Sequence, residues 1–296
     1  MRRDGKTTLG QFYCRLLGAL IASFAVAGSA LAQTSAPLPL RLQKRALIAA
    51  HLKSFSTKNG ERETLIRKWL ADAGCADANL SEQALEHDRG LPPNVICVLP
   101  GETQEVILVG AHTDRVEGLS DGVVDNWTGA VLLPALRYSL GAQRRHHTVI
   151  FVGFSGEEKG LLGSQYYVEH LTREQRAHIA AMVNFDSLGL GPTEVWSSHA
   201  DRPLLDALRA AARLGHLPLG EVNVENGASA DSESFARYQI PRITLHSVTD
   251  ETWPILHSPR DKMAAVSMND YYDSYRLIAR YLAYLDDALK TPPAAK

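Results

Sequence analysis

A chain of 296 residues, 45% hydrophobic and 22% charged, holds enough apolar material for one sizeable core. Its 31 Lys and Arg against 33 Asp and Glu give a net charge of −2, and no long basic block is present. That balance excludes the electrostatic footprint of a nucleic-acid binder.

The chain opens on an export signal. Arg2, Arg3, Lys6 and Arg15 form a positive n-region, and Leu16 to Val26 is an apolar run too short to span a bilayer comfortably. Ala30-Leu31-Ala32 is an A-x-A cleavage site before Gln33. Residues 1–32 therefore read as a signal peptide cleaved after Ala32, rather than a buried helix or an uncleaved anchor. The expected address is periplasmic or secreted, with no membrane attachment after cleavage. Cys14 leaves with the signal, and Cys75 and Cys97 remain as an even pair in an oxidising compartment. This favours a Cys75–Cys97 disulfide over two buried free thiols.

Residues 33–40, with Pro37 and Pro39, read as a loose leader. Leu42, Ala46, Leu47 and Ala50 fall at helical spacing and predict a helix over 42–52. Leu65, Ile66, Trp69 and Leu70 predict another over 61–73, with Gly74 as its stop. Residues 94–99 and 105–111 read as strands around the turn Pro100-Gly101-Glu102-Thr103, and this spacing predicts antiparallel neighbours. A loop rich in Gly, Asp and Ser runs from Gly118 to Asn126, and a helix starts near Trp127. Residues 147–154 are nearly all apolar, as suits a strand buried on both faces. Helical segments at 161–170 and 172–177, a strand at 179–185 and a short strand near 194–197 follow. Next come a helix over 203–214, a helical turn at 232–238, a strand at 243–246 and a long helix over 266–289; residues 291–296 are a tail. Strands alternating with helices predict an α/β fold, with a mixed, mainly parallel sheet sandwiched by helices. No repeat or linker interrupts it, so 41–290 is expected to be a single domain.

Polar residues recur where the apolar strands stop. His112 and Asp114 lie two apart, so an extended backbone points them to one face. Glu157 and Glu158 follow the next strand, Asp186 the one after, Asp125 ends a Gly-rich loop, and His257 lies in the loop 247–262. Singly, each has a plain explanation: an N-cap at Asp125, a helix N-terminus at Glu157-Glu158, a turn at Asp186, a surface imidazole at His257. Jointly they converge on the sheet edge where open α/β folds carry their chemistry. So many carboxylates would repel one another without cations. Two His with carboxylates and no Cys is a donor set for Zn²⁺, with Mn²⁺ or Co²⁺ as alternatives. Five ligands are too many for one tetrahedral ion and suit two if one carboxylate bridges.

At these residues the chain resembles the M28 metallopeptidases, the two-zinc aminopeptidase family that also includes the glutaminyl cyclases. The matching segments are Gly110-Ala111-His112-Thr113-Asp114, Gly122-Val123-Val124-Asp125-Asn126-Trp127-Thr128-Gly129, Phe154-Ser155-Gly156-Glu157-Glu158-Lys159-Gly160-Leu161-Leu162-Gly163-Ser164, Val183-Asn184-Phe185-Asp186, Asp231-Ser232-Glu233-Ser234-Phe235 and His257-Ser258-Pro259-Arg260-Asp261. The resemblance implies the zinc-dependent exopeptidase fold and roles at matching positions. Asp125 would bridge two Zn²⁺, His112 and Asp186 would complete one site, and Glu158 and His257 the other. Glu157 would be the general base to a water between the ions, and Asp114 would orient His112. The implied substrate is a peptide with a free N-terminus.

The chain departs from the family in places. Trp127 and Thr128 replace a common pair of small residues, and Trp127 is expected to shape the pocket. Leu256 precedes the last His where several aminopeptidases carry Tyr, and Trp253 is similar to the Trp near the last His of glutaminyl cyclases. Two alternatives stand beside the aminopeptidase: a one-zinc glutaminyl cyclase, and a non-catalytic binding module. The intact His112 and Asp186 weigh against the first, and the complete five-ligand set against the second.

Overall fold

The computed structural model describes residues 40–290 except 76, 87–89, 142 and 225–227. The expected signal peptide, residues 33–39 of the leader and the tail 291–296 lie outside the described residues. Among the described residues, eight strands form one sheet: β1 (Leu80–Gln83), β2 (Asn94–Leu99), β3 (Val106–His112), β4 (Thr148–Phe154), β5 (Ile179–Phe185), β6 (Glu194–Val195), β7 (Gly220–Glu221) and β8 (Arg242–His246). The helices are α1 (Arg45–Lys53), α2 (Asn59–Asp72), α3 (Thr128–Leu140), α4 (Leu162–Glu169), α5 (Arg173–Ala177), α6 (Arg202–Gly215), α7 (Glu233–Ala236) and α8 (Met268–Ala288). None of them is long and apolar enough to cross a membrane.

The strand order is β1-β2-β4-β3-β5-β8-β6-β7. Its centre, β4-β3-β5-β8, is parallel throughout, while β1, β2 and β6 join antiparallel. The predicted β2–β3 hairpin is therefore wrong: β4 lies between them, antiparallel to β2 and parallel to β3. The reason is burial. From Ile107 to His112 β3 is buried without alternation, so it belongs in the sheet interior with neighbours on both edges. Hydrogen bonding to β4 and β5 through helical crossovers supplies them, and the more alternating β2 is displaced outward. β1 and β7 escaped the sequence reading because Leu80-Ser81-Glu82-Gln83 shows no apolar alternation and β7 has two residues.

Helices cover both faces. One side packs Ile66, Trp69, Leu133, Leu208 and Tyr275 of α2, α3, α6 and α8, with Trp127 just before α3, against Val109 and Val183. The other packs Phe154, Tyr167, Val168, Met182 and Phe235. The polypeptide leaves α2 through Gly74 at φ 94, where Gly carries no Cβ penalty. Cys75 N donates to Leu70 O at 3.0 Å and Gly74 N to Ala71 O at 2.9 Å, the paired bonds of a Schellman stop. That exit delivers Cys75 to Cys97 on β2, with which it forms a disulfide across a Cα–Cα distance of 6.1 Å.

The bridge closes a sequence separation of 22 residues. Replacing both cysteines by Ser should cost about 3 kcal/mol in the chain-entropy picture, read as a lower urea midpoint.

Candidate metal centre

Because β3, β4 and β5 run parallel, their carboxyl ends open on one edge. β3 ends on His112; β4 is followed by Ser155, Gly156 and Glu157; β5 is followed by Asp186. Glycines make the second of these turns: Gly156 and Gly160, at φ 71 and φ 99, bracket the short helical turn carrying Glu157 and Glu158. Asp125 comes from the β3–α3 connection, after Gly122 at φ 64, and its peptide bond to Asn126 is cis. His257 reaches the same edge from the loop after β8.

All five expected ligands meet. His112 Nε2 lies 3.1 Å from Asp125 Oδ1 and 3.6 Å from Asp186 Oδ1. His257 Nε2 lies 3.0 Å from both Asp125 Oδ2 and Glu158 Oε2. Ligand atoms of His112, Asp125 and Asp186 all fall within 4.8 Å of one another, as do those of Asp125, Glu158 and His257. Asp125 is common to both groups, with one oxygen toward each histidine. Glu157 shares a further such group with His112 and Glu158.

The chemistry of these donors fits divalent cations. His112 Nδ1 lies 3.2 Å from the Asp114 backbone carbonyl, an acceptor, so the proton belongs on Nδ1 and Nε2 keeps its lone pair. Nε2 is buried and makes no hydrogen bond, although only acceptors face it, and Glu158 Oε1 is likewise buried without one. Burial pushes the Glu157 carboxyl well up, with the Asp231, Asp186 and Asp125 carboxylates adding to the rise. Burial and neighbouring carboxylates also raise Glu158 and Asp186. Such a set holds its charge when cations lie among it. Zinc, with its nitrogen and oxygen preferences, suits it.

Asp114 does more than the sequence reading assigned to it. Its carboxylate sits 3.6 Å from His112 Nδ1, and it also accepts from Glu157 N at 3.1 Å and Glu158 N at 3.2 Å. Asn126 ties the Asp125 turn to the end of β5: its Nδ2 donates to Phe185 O, and its Oδ1 accepts from Ser187 N and Gly129 N. His257 holds φ 50 and Ser187 φ 53, left-handed backbone that costs an ordinary residue roughly 1–2 kcal/mol.

Three neighbours were not singled out from sequence. Asp261 accepts from Val124 N at 2.6 Å and Asp125 N at 3.3 Å, and burial pushes its carboxyl up to about 6. Asp231 is fully buried and pushed up to about 7 by that burial and by the Asp114 and Asp186 carboxylates. Both stand in quoted motifs, which was the available signal. Arg62 is fully buried on α2, and nothing in its local pattern marks it. Trp127 does not shape the pocket as expected: it is fully buried, its ring tilted 54° against that of Trp69 at 5.6 Å, with its indole N–H on Leu52 O.

The pocket itself, about 450 Å³, runs from Asp125, Glu157, Glu158, Asp186 and His257 to walls made by Trp196, Val224, Val248, Trp253 and Leu256. His246 completes it, its Nε2 on Val222 O and its Nδ1 accepting from Val248 N.

A largely parallel sheet with a histidine and carboxylate cradle at its carboxyl edge defines a class of α/β protein built to hold metal ions beside a ligand pocket. The model of peptidase family M28 matches residues 94–282, and the chain belongs to that family. It is 31% identical over 192 residues to a probable leucine aminopeptidase of Arthroderma benhamiae, covering 60% of this chain and 53% of that one. The chain thus spans about half the length of the curated relatives it matches. Its fold resembles a zinc aminopeptidase from Bacillus subtilis (TM-score 0.59, 23% identity, 64% of this chain and 49% of that one). It also resembles the Porphyromonas gingivalis glutaminyl cyclase (TM-score 0.63, 20% identity, 81% of this chain and 98% of that one).

Burial lowers His246 to about 4, so the ring is neutral near pH 7. A lowered histidine contributes stability that is present above its unfolded value near 6.5 and lost as pH falls toward 4, roughly 3 kcal/mol for this group. An NMR titration should show this imidazole unprotonated at pH 5.5.

Proposed function

We propose that the chain is a two-zinc aminopeptidase, hydrolysing the N-terminal peptide bond of peptides, with residues 41–290 as one catalytic domain. The observation that carries this reading is Asp125, whose two carboxylate oxygens lie 3.1 and 3.0 Å from the two histidines. His112 and Asp186 would hold one ion, Glu158 and His257 the other, and Asp125 both. When bound, zinc supplies Lewis acidity toward the scissile carbonyl and lowers the pKa of the attacking water.

The remaining work falls to side chains. Glu157 lines the pocket and is not one of the five ligands, so its carboxylate is free to take a proton from the attacking water and hand it to the leaving amine. The hydroxyl goes to the carbonyl carbon as the C–N bond breaks. Asp114 holds Glu157 and Glu158 by their backbone N–H groups and keeps His112 in register. The acidic rim suits a protonated N-terminal amine. The walls of Trp196, Val248, Trp253 and Leu256 suit an apolar first side chain, in keeping with the leucine aminopeptidase names of the relatives. The Cys75–Cys97 disulfide supports secretion or a periplasmic address.

Incubation of metal-loaded protein with leucyl-nitroanilide and with an N-terminal glutaminyl peptide, alongside a zinc count, tests the reading. Amine release with about two zinc ions is expected; ring closure with about one would replace the aminopeptidase by a cyclase. Glu157→Gln should keep its zinc and lose about 10²- to 10⁴-fold in kcat. Asp125→Asn should lose zinc on dialysis, and full occupancy there would remove its bridging role.

A further inference from the structure

We propose that Arg62 is a positioning residue for Asp125, supplied to the metal centre from outside the segment that matches the family model. Arg62 lies on α2, whereas the matched segment begins at residue 94. Its side chain is 0% exposed. Burying a guanidinium is costly unless its donors are used. Here Nη2 donates to Gly122 O at 3.0 Å and Nη1 contacts Asp121 O at 3.5 Å, while Nε makes no hydrogen bond. Its hydrogen bonding is thus spent on the two residues before the turn that presents Asp125.

The turn is gripped from both sides. Asp261 takes the backbone N–H groups of Val124 and Asp125. Arg62 takes the carbonyls of Asp121 and Gly122. A Cβ at Gly122 would come within 2.8 Å of Arg62 Nη1, so the backbone approaches the guanidinium as closely as only Gly permits. The guanidinium carbon lies 5.2 Å from the centroid of the Trp127 ring, and the indole in turn donates to Leu52 O in α1. Helices α1 and α2 therefore clamp the segment 121–127 at both ends. Burial pulls the Arg62 guanidinium down to about 10; the Asp114, Asp125 and Asp261 carboxylates act against that fall and the Arg115 charge adds to it. The guanidinium thus fixes the backbone that carries Asp125.

The inference rests on the two-zinc reading, and zinc titration separates the two. Zinc affinity would be measured with a chromophoric chelator, and the melting temperature with EDTA, for wild type, Arg62→Met and Arg62→Lys. Loss of an outer-shell partner typically costs 10- to 100-fold in metal affinity, and that is the loss expected for Arg62→Met. Arg62→Lys keeps the charge, but a single ammonium cannot reproduce the fork across two carbonyls, so its affinity should fall in between. A visible Co²⁺ spectrum should broaden in both variants. If Arg62→Met does not fold, the Arg62→Lys titration decides. A folded variant whose melting point drops with EDTA while zinc affinity and the Co²⁺ spectrum stay those of wild type would make Arg62 merely structural and overturn the proposal. Wild-type protein that takes up no zinc would overturn the metallopeptidase reading, and this inference with it.

Discussion

The interaction on which this structure depends is the mutual repulsion of carboxylates gathered around two imidazoles at one sheet edge. Asp114, Asp125, Glu157, Glu158, Asp186 and Asp231 occupy a region where burial alone disfavours negative charge. Everything nearby is arranged to hold that charge in place. Backbone N–H groups serve Asp114 and Asp261, parallel strands fix the spacing of His112 and Asp186, and His257 accepts a left-handed backbone to reach Asp125 and Glu158.

The cluster is asymmetric. Asp125 is shared between histidines, whereas Glu157 leans on the pocket and stays outside the two histidine–carboxylate groups that share Asp125. Glu157 and Glu158, adjacent and alike in chemistry, are thus placed differently by the short turn between Gly156 and Gly160. Beside them stand the apolar walls Trp196, Val224, Val248, Trp253 and Leu256, and His246 among them is neutral near pH 7.

Much of this was legible in the chain. The apolar runs located β2, β3, β4, β5 and β8 to within a residue or two, because strand and helix periodicity is a local property. Gly74 marked the end of α2, and the five expected ligands came together. The failures share one cause. β2 and β3 are close in sequence yet not paired, since strand partners are chosen by which edges the two-face-buried strands leave open. Trp127 read as a pocket residue because its motif neighbours are; its side chain instead turns into the core under α1 and α2.

What the amino-acid sequence determined by itself was the alternation of strands and helices, the identity of the metal-ligand candidates and the place of His112, Glu157, Glu158 and Asp186 at strand ends. Each depends on residues only a few positions apart. What only the tertiary structure decided was that Asp125 turns one oxygen to each histidine, and that Arg62 and Asp261 grip the turn behind it. The Arg62 and Asp261 contacts join groups about 60 and about 140 positions apart. No local pattern encodes them, because a buried donor is satisfied by whichever acceptor the packed helices bring to it.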